Sequence, residues 1–243
     1  MGRRPKGLKA DLHIHTCDCA KEKHIKYNAF NLIDAAMERR LDVLSITNHD
    51  TVTYNNYLSD YARERGILLI PGIELTLKNK HVLIYNLIDE LNGINNFDDL
   101  KKIKDKNNLF IAPHPFFPAG CSLGKYLVKW RSLFDAIELS HFYTRSIDFN
   151  KKAIAIAEKF HLPMVGTSDS HLLRQFDTTY SVIYAEKSIE TVIDAVKNGE
   201  IEIVTHPLST AEAGMIFYEL FFEHRARKVG TACFSLFSLL WRS

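Results

Sequence analysis

Short apolar runs alternate with amphipathic helical patterns through almost the whole chain, which is the signature of repeated strand and helix units around a mostly parallel sheet. Strands are expected over residues 8–14, 42–47, 67–73, 81–87, 109–112, 136–139, 164–166, 180–185 and 201–204, about as many as a closed barrel needs. Between them, helical periodicity predicts helices over 57–65, 97–106, 123–133, 148–160 and 189–198, with another on the Phe30/Ile33/Met37 stripe. Asn28 reads as the N-cap of that stripe, and Gly66 as the stop of the 57–65 helix. The final stretch, 210–241, reads as one or two helices outside the repeat.

The chain of 243 residues suits one domain of the size at which α/β barrels close. The expected layout is a basic N-terminal tail over 1–8, a barrel over 9–208 and a C-terminal helical segment over 209–243. Hydrophobic residues at 46% and charged residues at 25% describe an ordinary globular core and leave no reason to expect disorder. A formal net charge of +2 is too small to argue for nucleic acid as an obligate partner, although Arg3, Arg4 and Lys6 make the tail basic. Cys17, Cys19, Cys121 and Cys233 do not resemble a disulfide framework, and with no signal peptide ahead of them a reducing cytoplasm is the expected compartment. The apolar runs 215–222 and 229–241 are separated by a charged hexapeptide. Neither reaches the roughly 18 to 20 residues that span a bilayer, so no membrane partner is expected.

Chemistry gathers at the strand ends. Asp11, His13 and His15 close the first run, Asn48-His49-Asp50 follows the second, and Glu74 follows the third. His81 lies in the fourth, His114 follows the fifth, Glu138 and His141 the sixth, and Asp169 and His171 the seventh. In a parallel barrel these ends converge on one face, where active sites form. His13 and His15 alternate along a strand, so their rings share a side, and Asp169 and His171 repeat that spacing. Imidazoles mixed with carboxylates suit Zn, Mn or Fe better than Mg or Ca. A carboxylate such as Glu74 can bridge two such ions.

The motifs Asp11-Leu12-His13-Ile14-His15-Thr16, Ser45-Ile46-Thr47-Asn48-His49-Asp50, Pro71-Gly72-Ile73-Glu74-Leu75, Ala112-Pro113-His114-Pro115 and Gly166-Thr167-Ser168-Asp169-Ser170-His171 together resemble the PHP (polymerase and histidinol phosphatase) family. The likeness covers residues 9 to 205. It implies a distorted (β/α)7 TIM-like barrel that holds two or three divalent ions and hydrolyses phosphoesters. Carried over residue by residue, it implies His13, His15, Glu74 and Asp169 on one ion. Glu74 then bridges to a second ion completed by His81 and His114, and His49 and His171 hold a third with an acidic residue from the first loop. Where many members carry a Ser-Asp-Gly-like turn, this loop reads Cys17-Asp18-Cys19-Ala20-Lys21-Glu22, and Asp18 is the nearest candidate. Glu74, His49 and His171 are expected closest to the reacting group.

Substrate binding is expected at Arg145, Arg174 and His141, with Lys23 and His24 as weaker candidates, because guanidinium suits bidentate contact to phosphate. Asp11 and Asp50 read either as carboxylates that orient ligand imidazoles or as turn residues. Cys17 and Cys19 read as free small side chains. The stretch between His81 and His114 is too short for the inserted helical cap of some members, so an open pocket is expected. The favoured substrate is a phosphomonoester of a small molecule or nucleotide. Histidinol phosphate and short oligonucleotides are the alternatives within the family, and a metal-stabilised binding module is the alternative outside enzymes.

Overall fold

The computed structural model describes residues 5–87, 91 and 93–219. Its strands are β1 (Gly7–Asp11), β2 (Val43–Ile46), β3 (Leu68–Leu77), β4 (Lys80–Tyr85), β5 (Leu109–Ala112), β6 (Ala136–Ser140), β7 (Met164–Thr167), β8 (Thr179–Tyr184) and β9 (Ile201–Thr205). The helices are α1 (Ala29–Glu38), α2 (Asn56–Glu64), α3 (Phe97–Ile103), α4 (Lys125–Lys129), α5 (Asn150–Phe160), α6 (Ile189–Asn198) and α7 (Thr210–Tyr218). Each predicted strand has its counterpart. Asn28 caps α1 by accepting from the Asn31 amide, and Gly66 follows α2 at φ +72°. The helix expected over 123–133 is broken into α4 and a separate 3-10 turn at Arg131–Leu133. Of the C-terminal segment only its start, α7, is seen; the rest, with Cys233, lies outside the described residues, as do Arg3 and Arg4. Among the described residues no helix is long and apolar enough to cross a membrane.

The strands form one sheet in the order β7-β6-β5-β4-β3-β2-β1-β8-β9, curved into a nearly closed barrel. The sheet is less parallel than the strand and helix alternation suggests. Pairs β1–β2, β2–β3, β5–β6 and β6–β7 are parallel, but β3–β4, β4–β5, β1–β8 and β8–β9 are antiparallel. The reason at β3–β4 is local: only Lys78 and Asn79 join the strands, both at positive φ (48° and 60°), which is a tight hairpin with no room for a crossover helix.

The barrel interior follows from alternation along each strand. Leu8 and Ala10 of β1, Val43 of β2, Ile70 of β3, Leu83 and Tyr85 of β4, Leu109 and Ile111 of β5 and Val165 of β7 fill it, with α6 closing one end through Val192, Ile193 and Val196. The intervening residues face outward, Leu44 and Ile46 onto α1 and α2, and Val82, Ile84 and Phe110 onto α3 to α5. Followed toward the other end, the same inward rows turn polar. Ile70 leads to Gly72 and Glu74, Ala136 to Glu138 and Ser140, and Val165 to Thr167. All of these polar residues are buried. Gly72 is required there, because a Cβ would run into Ser45 Oγ and stand 3.0 Å from Thr47 Cγ2.

Candidate metal centre

Two isolated bridges extend the sheet beyond its strands and set the site. His49, beyond the end of β2, bridges to Glu74 within β3, and Ile14 bridges to Ser170 beyond the ends of β1 and β7. The second is reinforced by His15 N donating to Ser170 O at 3.1 Å. It brings the first motif of the chain against the last, and His15 Nε2 stands 3.2 Å from Asp169 Oδ1. His81 reaches the same face from the start of its strand, because β4 runs antiparallel and pairs His81 with Thr76, just past Glu74.

Glu74 is the hub. Its Oε1 lies 2.7 Å from His81 Nδ1, 3.1 Å from His114 Nε2 and 3.6 Å from His13 Nε2, and its Oε2 lies 2.9 Å from His49 Nδ1 and 3.5 Å from His15 Nε2. Asp169 Oδ1 lies 3.4 Å from His13 Nε2 and 3.6 Å from His171 Nδ1. The ligand-type atoms fall into four overlapping groups: His13, His15 and Glu74; His13, His114 and Asp169; His49, Glu74 and His81; and His15, Glu22, His49 and His171. Their chemistry fits a borderline divalent ion. So does their alignment: His15 Nδ1, His49 Nδ1, His81 Nδ1 and Glu22 Oε1 are buried without a hydrogen-bond partner, although each faces an opposing nitrogen or oxygen. His15 Nδ1 and Glu22 Oε1, for example, are 2.5 Å apart but not aligned as donor and acceptor.

The first loop corrects the expectation at Asp18. That carboxylate is exposed and braces the loop, accepting from Thr16 Oγ1 and the Ala29 amide, both at 2.7 Å. A 3-10 turn over Ala20–Glu22 carries the chain inward, and buried Glu22 stands with His15, His49 and His171 instead. Glu22 is held by the Cys19 thiol at 2.8 Å and the His49 amide at 3.1 Å, both on Oε2, which leaves Oε1 toward the imidazoles. The only signal for it in the sequence was a carboxylate in the same loop.

Electrostatics follow from packing acids among bases in a largely buried site. Burial would raise the Glu22 carboxyl, but the His15 and His49 imidazoles outweigh it and hold it down at about 2. Glu74 and Asp169 are likewise held well below the carboxylate range by surrounding histidines, against the pull of burial. Burial opposes charge on His15 and His81, yet Glu22 raises the first to about 9 and Glu74 the second to about 10. Burial wins at His141 and His171, each pushed down to about 4. The backbones of His114 and Asp169 sit at φ +25° and +45°, a conformation costly for residues other than glycine and concentrated at functional sites.

Around this set, Glu138 is entirely buried and orients His13. Its Oε1 accepts from His13 Nδ1 at 2.7 Å and from Thr167 Oγ1, while Oε2 accepts from the His114 amide at 2.5 Å. Asp11 and Asp50 touch no ligand ring. Asp11 binds the His13 and Ser168 amides, with burial pushing it up to about 7, and Asp50 binds the Thr76 amide and Lys21. Cys17 and Cys19 are free, as is Cys121.

Six of the candidate ligands, His49, Glu74, His81, His114, Asp169 and His171, line a cavity of about 280 Å³. His141, Gln175, Ser140, His24, Cys121, Ala119, Phe117 and Phe142 complete its lining. Gln175 Oε1 accepts from the His171 and Leu172 amides, which turns its Nε2 toward His141 Nε2 at 3.0 Å. The expected arginines are elsewhere: Arg145 is exposed and does not line the cavity, and Arg174 pairs with Glu219 of the C-terminal segment at 2.9 Å. Lys23 also points away, onto Cys17 O. Side chains on these loops were placed by turns that periodicity does not reveal.

Comparison with known proteins agrees with this architecture. Residues 148–201 match the family model described as PHP-associated. An uncharacterized protein of Methanocaldococcus jannaschii is 26% identical over 155 residues, covering 60% of this chain and 90% of its own length. In structure, the chain is similar to a two-domain protein from Bacteroides vulgatus containing a predicted PHP-like metal-dependent phosphoesterase. The TM-score is 0.63 at 23% identity, covering 85% of this chain and 70% of the other. It is also similar to PsfC from Pseudomonas syringae, with a TM-score of 0.59 at 16% identity, covering 91% and 99%. At these identities the structural likeness shows the fold.

Proposed function

We propose that this chain, PHP-like in fold and PHP-associated over residues 148–201, is a metal-dependent phosphoesterase that hydrolyses a phosphomonoester of a small molecule. The observation that carries the reading is the shared carboxylate: Glu74 belongs both to the group with His13 and His15 and to the group with His49 and His81, so two ions would share one bridge. His13, His15, Glu74 and Asp169 would hold the first, and Glu74, His81 and His114 the second. Glu22, His49 and His171 would hold a third, with Glu22 supplying the acid that Asp18 does not. That complete third set favours catalysis over a metal-stabilised binding module.

Bound Zn, Mn or Fe ions would neutralise charge on a phosphoryl oxygen and make water acidic enough to react at neutral pH. The chain itself does the positioning. Glu138 fixes the His13 ring so that Nε2 faces the ligand atoms, and Gln175 fixes His141 at the cavity wall. His171, neutral at pH 7, keeps a lone pair for an ion or a proton. Glu74 stays ionised throughout the physiological range. With neither Arg145 nor Arg174 at the cavity, the phosphate would rely on the ions and the histidines.

The test is hydrolysis of a panel of small phosphomonoesters by protein loaded with Mn, Zn or Fe, comparing wild type with His13→Ala. Loss of at least about a hundredfold is expected in the variant, because groups that only support a metal ligand are commonly worth about 10- to 100-fold and a ligand itself is worth more. Unchanged turnover in folded His13→Ala would overturn the proposed site.

A further inference from the structure

In the first loop, residues 18–23 are exposed except at two positions, Cys19 and Glu22, which keep only 2% and 1% of their surface. The 3-10 turn joins them: Glu22 N donates to Cys19 O at 3.3 Å, and side chains three residues apart eclipse in such a turn. Cys19 stands at the N-cap, where a side chain usually accepts from the first amides. Its thiol makes no such bond and donates to the Glu22 carboxylate at 2.8 Å instead. A buried cysteine is commonly just a small apolar filler. Cys17 fits that description, packing on the apolar cluster under α1 and α2, but among the described residues Cys19 joins none of the apolar clusters. Its burial is spent on the carboxylate.

That bond decides which oxygen Glu22 offers. A carboxylate turns freely about its last torsion, and its two oxygens are alike until a neighbour distinguishes them. Oε2 accepts twice, from the Cys19 thiol and from the His49 amide at 3.1 Å. Oε1 accepts no hydrogen bond and lies 2.5 Å from His15 Nδ1, 3.9 Å from His171 Nε2 and 4.0 Å from His49 Nε2. The His49 amide alone would fix one point and leave the carboxylate plane to swing about it, and the thiol supplies the second point. Being a weak donor, a thiol does this while leaving the carboxylate charge available to a cation. On the outer side of the same turn, Lys21 pairs with Asp50 and so fastens the loop to the chain beyond β2.

We propose that Cys19 is a positioning residue for the third ion: its thiol holds Glu22 so that Oε1 meets His15, His49 and His171, and the affinity of that one position depends on it. This rests on the reading of Glu22 as a ligand given above. The groups proposed for the other two ions take no bond from the Cys19 thiol, so its influence is confined to the third.

The experiment measures Mn and Zn stoichiometry by elemental analysis, and stepwise affinity by chelator competition, in the full chain. It compares wild type, Cys19→Ser, Cys19→Val, Glu22→Ala and the double variant Cys19→Val with Glu22→Ala. Cys19→Val keeps the bulk without the donor, and the extended backbone there (φ −103°, ψ 160°) accepts a branched side chain. It should weaken the third ion about tenfold or more and the other two less than about twofold, the scale of a group that supports a single ligand. Cys19→Ser, which can still donate, should stay within about threefold of wild type. In Glu22→Ala, already one ion short, adding Cys19→Val should change nothing further, because the thiol acts only through the carboxylate. Full third-ion affinity in folded Cys19→Val would overturn the proposal, as would an equal weakening of every ion or a valine effect that persists without Glu22. If Glu22→Ala itself binds as many ions as wild type, the ligand reading of Glu22 falls and the proposal with it; if only Cys19→Val keeps them, the proposal falls alone. Hydrolysis is no part of the readout, so a protein that shows the expected pattern and cleaves no ester would sink the phosphoesterase reading and leave Cys19 in place.

Discussion

Replacing Glu138 with glutamine should weaken metal binding without touching any proposed ligand. The carboxylate offers two oxygens to three donors: His13 Nδ1–H and Thr167 Oγ1–H on one, and the His114 N–H on the other. Glutamine keeps the volume but has one oxygen and one amino group. If the oxygen stays with the His114 amide, the amino group faces His13 Nδ1, and His13 must move its proton to Nε2 to accept. That places a proton on the nitrogen that faces Glu74 and Asp169 and removes the lone pair an ion needs. If the amide turns over, the His114 N–H is left buried and unpaired, and the backbone that carries another ligand loses its anchor. Either way one bond to a charged acceptor is lost, about 1.5 to 3 kcal/mol. Groups that hold a metal-binding histidine are commonly worth about 10- to 100-fold in affinity, or roughly 1.4 to 2.7 kcal/mol. Chelator competition for Mn or Zn should show a loss in that range, with the Thr167→Val variant milder. A folded Glu138→Gln protein that binds metal within about twofold of wild type would refute the assignment.

Three other outcomes are expected. Glu22→Ala should bind one ion fewer by elemental analysis, whereas Asp18→Ala should keep the full complement and lose only about 1 kcal/mol of stability with its bond to the Ala29 amide; equal stoichiometry in the two would count against Glu22. Metal affinity should climb with pH toward about 9 to 10, because the protons that Glu22 keeps on His15 and Glu74 on His81 must leave before those nitrogens bind, and calorimetry in buffers of different protonation enthalpy should register their release. The sign reverses for metal-free protein: the His15 proton is held more tightly folded than unfolded, so its stabilisation is full below the ordinary histidine value of 6.5 and fades as pH rises through about 9. Gly72→Ala, which drives a methyl into Ser45 and Thr47 inside the barrel, should cost about 1 to 3 kcal/mol in denaturant unfolding even with metal present, and an unchanged midpoint would argue against that packing.

The strands were legible because each is an apolar run bounded by polar turns, and most of the candidate ligands were legible because a histidine or carboxylate directly after such a run is out of pattern. Strand direction was not. Alternation is the same in parallel and antiparallel pairs, and the Lys78-Asn79 turn lacks the glycine that usually announces a tight hairpin. His81 was thus marked correctly as unusual but for an incomplete reason, since it reaches the ligand face from the beginning of its strand. Glu22 was missed because a loop has no period. Asp18 is closer to His15 in sequence, but the turn at Ala20–Glu22 decides which acid faces inward. Phe117 and Phe142 were invisible as cavity residues for the same reason, because they look like ordinary apolar residues until two loops bring them together.

The bridge between Ile14 and Ser170 means that the ligand cluster sits beside the join of a cylinder: beyond the strand ends it ties the chain leaving β1 to the chain leaving β7, one of the two edge strands of the sheet. Below it, β7 faces β8 through the Ser181 hydroxyl, which donates to Gly166 O and accepts from Gly166 N in place of a strand ladder. Ions shared by His13 and His15 from one lip and Asp169 and His171 from the other would act as a clasp. Their binding free energy then becomes closure free energy, and withdrawing them would loosen the cylinder first along this one line rather than evenly around its circumference.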